Sequence, residues 1–257
     1  MTTNGASQAT IKQAFAAPII QYQWEDTHEL NAQLREYALQ RMDHEAGQII
    51  SNVGGWSSKK DILQNSNLAE LNTLSAMAET LLRELMQRCL AEVDDKLLID
   101  WEANAWFNVN NPGGYNELHN HGRPPSVWSG IYYVDCGTDD PTQSGRTVFE
   151  NCHTLPRPGR QRFDFAKAET VTPNPGLMLI FPSSFFHRVE THRGNRPRIT
   201  VAFNFSHPLM SLSTGALEEF LRSKDQSGQR SNARLWMWRN FAGIMKIHRK
   251  FSRVWRS

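Results

Sequence analysis

The sequence predicts a mainly β domain, a jelly roll braced by helices, and three observations carry that expectation. From 97 to 110, Ile99, Trp101, Ala103, Ala105, Phe107 and Val109 fall on one face. Asp100, Glu102, Asn104, Trp106, Asn108 and Asn110 fall on the other, which is the period-two signature of a strand with one apolar and one polar face. Second, short apolar runs recur between Gly and Pro breaks: Ser129–Val134, Thr147–Glu150, and Gly176–Phe181 ahead of Pro182. Third, these strands follow a helical stretch in which Leu68, Leu71, Leu74, Ala78, Leu81, Leu82, Leu85 and Cys89 keep a 3.6-residue period. Short strands after such a stretch fit a double-stranded β-helix, the cupin-like jelly roll, with N-terminal helices bracing it.

The elements follow in order. Residues 1–13 form an N-terminal segment expected to be mobile, 14–209 the main domain, and 210–257 a basic amphipathic helical extension. Ala14 to Trp24 contains PIIQYQW, which alternates as a first strand. Asp26 followed by Glu29 resembles a capping box opening a helix that carries Leu30, Leu34, Tyr37, Ala38 and Met42. Gly54-Gly55-Trp56 reads as a loop, with Trp56 packed on the core. Cys89 reads as a small buried hydrophobe. Asn111-Pro112-Gly113-Gly114 reads as a turn, Asp135–Gly145 as a polar loop, and Asn151–Phe165 as a long excursion holding a solvated His153. Gly176 to Phe205 supplies the last two core strands.

Composition narrows the class. Apolar residues make up 39% and charged residues 21% of 257, the profile of an ordinary globular chain. No run approaches the ~20 apolar residues of a membrane span. The opening residues are polar, without the apolar core of a leader, and Cys89, Cys136 and Cys152 lack disulfide or zinc spacing. A cytoplasmic protein with free thiols is therefore expected. The net charge of +2 conceals an asymmetry: Ser211–Ser257 carries ten Lys and Arg against three Asp and Glu. Within it, Met237, Phe241, Ile244, Phe251 and Trp255 share one face, opposite Lys246, Lys250 and Arg253. That face is expected to pack on the domain or on a second subunit in a homodimer, ahead of contact with a membrane surface. No specific nucleic-acid signal is present.

Two segments carry the chemistry. In Ala105–Val134, His119 and His121 flank one residue, so both imidazoles leave the same side of an extended chain. Paired imidazoles suit iron, zinc or copper. In Gly176–Phe205, an apolar strand is followed by His187, and eleven residues on by Arg198. A third imidazole and an arginine fit a metal site with an anion clamp, because the guanidinium grips carboxylates bidentately. Arg196 shares the face expected of Arg198 and is its rival.

Together the segments resemble the core of the iron(II)- and 2-oxoglutarate-dependent oxygenases. More narrowly they resemble a bacterial and phage group in which a histidine pair precedes SG-aliphatic-YY. The likeness spans roughly residues 14 to 206 and rests on ordered matches: Phe15–Ile20, SNVGGWSS (Ser51–Ser58), AWFNVNNPGGY, LHNHG, SGIYYV, LIFPSSFFH and RITVAFN. SGIYYV is also similar to a strand of the prolyl hydroxylases that modify proteins, whose second tyrosine reaches the co-substrate.

The resemblance implies iron(II), 2-oxoglutarate and O2 as cofactors. It implies His119 as first metal ligand and His187 as distal ligand, with His121 standing where the family usually has Asp or Glu. A three-histidine site and a two-histidine site in which His121 acts otherwise both stay open. Tyr133 and Arg198, with Arg196 as alternative, would hold the far carboxylate of 2-oxoglutarate. Apart from the resemblance, the polar side of the long strand either lines a cavity or faces water; the nearness of His119 favours the cavity, where Asn108 and Trp106 would face substrate. The implied reaction hydroxylates a C–H bond of a small molecule, amino acid or peptide, releasing succinate and CO2. The alternatives are a three-histidine cupin-like dioxygenase without a keto acid, and a non-catalytic binding module on the same fold. A halogenase fits less well, because His121 fills the position those enzymes clear with Gly or Ala. Succinate formation separates the oxygenase from the other two.

Overall fold

The computed structural model describes residues 17–89, 101–122, 125–151, 154–155, 163–164 and 168–207. The N-terminal segment 1–13, residues 97–100, His153 and the extension 210–257 lie outside the described residues.

The order is β1 (Ile20–Gln23), α1 (His28–His44), β2 (Asn52–Ser57), α2 (Ala69–Cys89), β3 (Glu102–His119) and β4 (Ser126–Asp135). Then come β5 (Thr147–Phe149), β6 (Thr154–Leu155), β7 (Phe163–Asp164), β8 (Glu169–Val171), β9 (Leu177–Pro182), β10 (His187–Val189) and β11 (Arg198–Ser206). The principal sheet is antiparallel, in the order β1-β9-β4-β11-β3-β10-β5-β8, and β2 pairs with β3 off that path. It curls into a half-barrel, the double-stranded β-helix that the sequence predicts.

Alternation positions the layers. On β11, Ile199, Val201, Phe203 and Phe205 join the core beneath the helices, while Arg198, Thr200, Ala202 and Asn204 line a cavity. On β3, Ala105, Phe107 and Val109 face that core, and Trp106 and Asn108 line the cavity. The polar face of this strand is therefore an inner wall. On α2, Leu71, Leu74, Ala78, Leu81, Leu82 and Leu85 are buried together against the sheet, each larger side chain contributing about 1.5–3 kcal/mol by leaving water. A second cluster of Ile131, Tyr133, Phe149, Val171, Leu179 and Phe181 fills the barrel beside the cavity.

Several local expectations change. Gly54-Gly55-Trp56 lies within β2, because backbone pairing with β3 outweighs the low strand propensity of glycine. Trp56 does pack on the core, and its Nε1 donates to the Glu45 carbonyl at 2.9 Å. The segment Asn111–Gly114 does not reverse the chain. It bulges between the pairs Gly55–Asn110 and Val53–Tyr115, and β3 continues to His119. Gly113 takes φ of 85° there, and the bulge is tied to His192 by two 2.8 Å backbone bonds, Gly113 N to His192 O and His192 N to Gly114 O. No capping box forms: Thr27 occupies the N-cap of α1 with no cap bond from its side chain to a helix N–H, and Asp26 sits at φ of 53°. Between Gly176 and Phe205 there are three strands rather than two, the short β10 carrying His187. Among the described residues no helix is long and apolar enough to cross a membrane.

Candidate metal centre

Strand pairing builds the centre. His187 of β10 is the direct antiparallel partner of His119 at the end of β3, and their ring centroids lie 4.3 Å apart. His121 follows β3, where its backbone N–H donates to the Ser183 carbonyl at 2.8 Å. Its ring lies 5.0 Å from that of His119 and 5.3 Å from that of His187. One nitrogen from each imidazole falls within 4.8 Å of the others, and among the described residues these three alone form such a cluster.

Two of the rings are oriented by their own chain. His119 Nδ1 lies 2.7 Å from the Glu117 carbonyl, and His187 Nδ1 lies 3.0 Å from that of Phe185. A carbonyl only accepts, so Nδ1 carries the proton and the Nε2 lone pair is free for a cation. Burial keeps the rings neutral. It lowers the pKa of His119, and brings His187 to about 3, with help from the neighbouring His119. His121 also falls to about 3, through burial first and then through repulsion by His187, His119 and Lys60. Neutral imidazole is the form that binds metal.

The cavity, about 410 Å³ in volume, runs from these histidines to Arg198. Arg198 is 1% exposed, and its Nη1 donates to Asn110 Oδ1 at 3.3 Å. Among the described residues, Nε and Nη2 have no hydrogen-bond partner. Leaving donors of a buried cation unpaired is costly, and burial depresses the Arg198 pKa, with Tyr133 and Cys136 acting in the opposite direction. The guanidinium lies 5.3 Å from the centroid of the Tyr133 ring, whose hydroxyl is 2.7 Å from Thr147 Oγ1. Gly145 presses on the other side: a Cβ there would meet Arg198 Cδ at 2.6 Å.

Trp106 and Asn108 line the same cavity, and Asn108 Oδ1 accepts from Ser57 Oγ at 2.7 Å. Arg196 is placed elsewhere. Because β11 begins at Arg198, Arg196 lies in the preceding bend and shares no strand face with it. It is exposed and pairs with Asp139 at 3.4 Å.

Four polar residues of the site escaped sequence reasoning. Asn204 accepts from Ser129 Oγ at 3.0 Å inside the barrel, and a lone amide in the apolar run RITVAFNF was a legible sign of an inward polar residue. Asn110 and Thr147 act through pairing across strands that adjacent sequence does not reveal. Lys60, in SSKKD, carries no motif that marks it, yet its ammonium sits 4.4 Å from the Trp106 ring centroid at the cavity wall. Partial desolvation there lowers its pKa.

Residues 104–204 match the model of the family described as "Putative 2OG-Fe(II) oxygenase". No curated protein matches the sequence. Among solved structures, the chain is similar to a prolyl-4-hydroxylase from Pseudomonas putida, at 16% identity and a TM-score of 0.53, covering 74% of this chain and 93% of that one. It is similar to a Trichoplax adhaerens prolyl hydroxylase in complex with a hypoxia inducible factor peptide fragment, at 10% identity and a TM-score of 0.53, covering 76% and 87%. The alpha-ketoglutarate-dependent epimerase SnoN from nogalamycin biosynthesis matches at 10% identity and a TM-score of 0.52, covering 75% and 80%. These distant likenesses establish the fold, and the family match runs from the inner wall of β3 through His119, His187 and Arg198 to Asn204. The stretch 104–204 thus matches the model of a 2OG-Fe(II) oxygenase family, and that family uses iron(II), 2-oxoglutarate and O2.

Proposed function

We propose that this protein is an iron(II)- and 2-oxoglutarate-dependent hydroxylase whose metal is held by His119, His121 and His187. The observation that carries the reading is one cavity with two complementary ends. Three neutral imidazoles converge at one end, and a buried arginine with two donors unpartnered among the described residues waits at the other. A dicarboxylate that chelates a metal through one end and ion-pairs through the other satisfies both. That is the chemistry of 2-oxoglutarate.

The residues present fit the group. The Glu117 and Phe185 carbonyls hold His119 and His187 in the tautomer that presents Nε2. Arg198 receives the distal carboxylate through Nε and Nη2, replacing a buried unpaired charge by a charge-assisted pair. Tyr133, kept neutral by burial, packs against the guanidinium, while Thr147 anchors its hydroxyl. Apolar Ile131 and Phe181 close that part of the cavity and limit water. When bound, iron(II) with 2-oxoglutarate and O2 supplies oxidative decarboxylation to succinate and CO2, coupled to hydroxylation of a C–H bond. Trp106 and Asn108 then form the wall that substrate meets.

A keto-acid-independent three-histidine dioxygenase would use the histidines but give Arg198 no task. Anaerobic calorimetry with iron(II), then 2-oxoglutarate, tests the proposal. Stoichiometric iron binding followed by 2-oxoglutarate binding that depends on iron is expected. Iron binding without any 2-oxoglutarate binding favours the alternative.

A further inference from the structure

Lys60 lies outside the needs of metal and co-substrate. Its ammonium is held 4.4 Å from the centroid of Trp106, and a second neighbour of that indole is His121, with ring centroids 5.5 Å apart. One aromatic wall therefore links this cation to the reacting centre. A cation–π contact at an exposed site holds an ammonium by only ~0.5–1 kcal/mol, so it leaves the charge available to a stronger partner. No protein carboxylate fills that role: among the described residues Lys60 makes no ion pair. The adjacent Asp61 faces Arg41 at 3.5 Å and accepts from Asn65.

The lining of the cavity has one sign. Among the described residues it contains two cations, Lys60 and Arg198, and neither Asp nor Glu. The far carboxylate of 2-oxoglutarate answers Arg198, and its other end answers the metal. Lys60 remains unmatched, next to Trp106 and the Ser57–Asn108 hydrogen bond. Such a pocket concentrates anions and repels cationic substrates.

We infer that the substrate bears an anionic group, a carboxylate or a phosphate, which Lys60 receives across the Trp106 wall. This deepens the oxygenase reading and rests on it. Neutral donors and acceptors on Ser57 and Asn108 then orient the body of the substrate, and the apolar indole face covers its carbon skeleton beside His121.

The test is anaerobic calorimetry on the full chain loaded with iron(II) and 2-oxoglutarate. The probes are N-acetyl amino acids matched with their carboxamides, and glycerol phosphate matched with glycerol. At least one charged probe is expected to bind about tenfold more tightly than its neutral partner. Lys60→Gln should abolish that preference and Lys60→Arg retain it. The carboxylate and phosphate pairs distinguish the two sources of charge. A panel in which no charged probe outbinds its neutral partner overturns the inference, as does a preference that survives Lys60→Gln. Loading of the parent protein with iron(II) and 2-oxoglutarate, recorded first, tests the underlying oxygenase reading separately.

Discussion

His119 and His187 are direct antiparallel partners across β3 and β10, with ring centroids 4.3 Å apart. The geometry of this histidine pair is thus fixed by a strand register, and each ring is oriented by the carbonyl two residues before it. Among the described residues His121 has no comparable anchor. It follows the strand and rests beside Trp106.

That contrast sets the first prediction. His121→Ala should weaken iron(II) binding by at least about tenfold, the scale on which even the loss of an outer partner registers. His121→Asp should restore part of it, since a carboxylate at this position still faces the cluster. Metal titration followed by calorimetry decides it. Unchanged affinity in His121→Ala leaves a two-histidine site.

Arg198→Met should raise the dissociation constant of 2-oxoglutarate about a hundredfold while iron binding persists, because charge-assisted bonds contribute about 1.5–3 kcal/mol. The melting temperature of the metal-free variant should not fall, since it loses a buried charge whose Nε and Nη2 have no partner among the described residues. Arg196→Ala, on the exposed bend, should change neither. Co-substrate binding retained in Arg198→Met but lost in Arg196→Ala would move the clamp to Arg196.

Gly145 offers an indirect route to the same pocket. Its φ is 59°, and an added Cβ would lie 2.6 Å from Arg198 Cδ and 2.9 Å from its Nε. Gly145→Ala should destabilise the fold by about 1–3 kcal/mol through backbone strain and displace the guanidinium. The expected signature is weaker 2-oxoglutarate binding with iron affinity retained. Wild-type affinity for the co-substrate would show that the arginine accommodates the methyl group.

The depressed histidines predict an acid-sensitive apo protein. His187 and His121 titrate at about 3 when folded and near the ordinary value of about 6.5 when unfolded. Between those limits the unfolded chain binds more protons, so stability falls as pH is lowered from about 6.5 towards 3. The slope is at most about 1.4 kcal/mol per pH unit for each histidine. Chemical denaturation of metal-free protein across this range measures it, and His187→Gln should flatten the curve. An equal slope in both proteins would assign the acid loss to other groups.

Much of this arrangement is legible in the sequence because strands report their faces. The alternation from Ala103 to Asn110 marks both the core side and the cavity side of β3, and the helical period from Leu68 to Leu85 marks the buttress. The histidine spacing and Arg198 stand out by residue type. What stays hidden depends on partners distant in the chain. Strand β2 hides behind Gly54-Gly55 because its order comes from pairing with β3. The bulge at Asn111–Gly114 carries turn residues, and only its bonds to His192 reveal that the strand continues. Lys60 is concealed for the same reason, since it lies in the turn after β2 and the indole that holds it lies on β3.

In the proposed reaction one cavity couples keto-acid oxidation to the three-histidine centre. Succinate formation from 2-oxoglutarate under air, measured for the parent and for His187→Ala with and without added iron(II), tests it most directly. The parent should form succinate only with iron(II), and His187→Ala should form none above background. An iron-loaded parent that forms no succinate, or a His187→Ala variant that forms it at the parent's rate, would contradict the account.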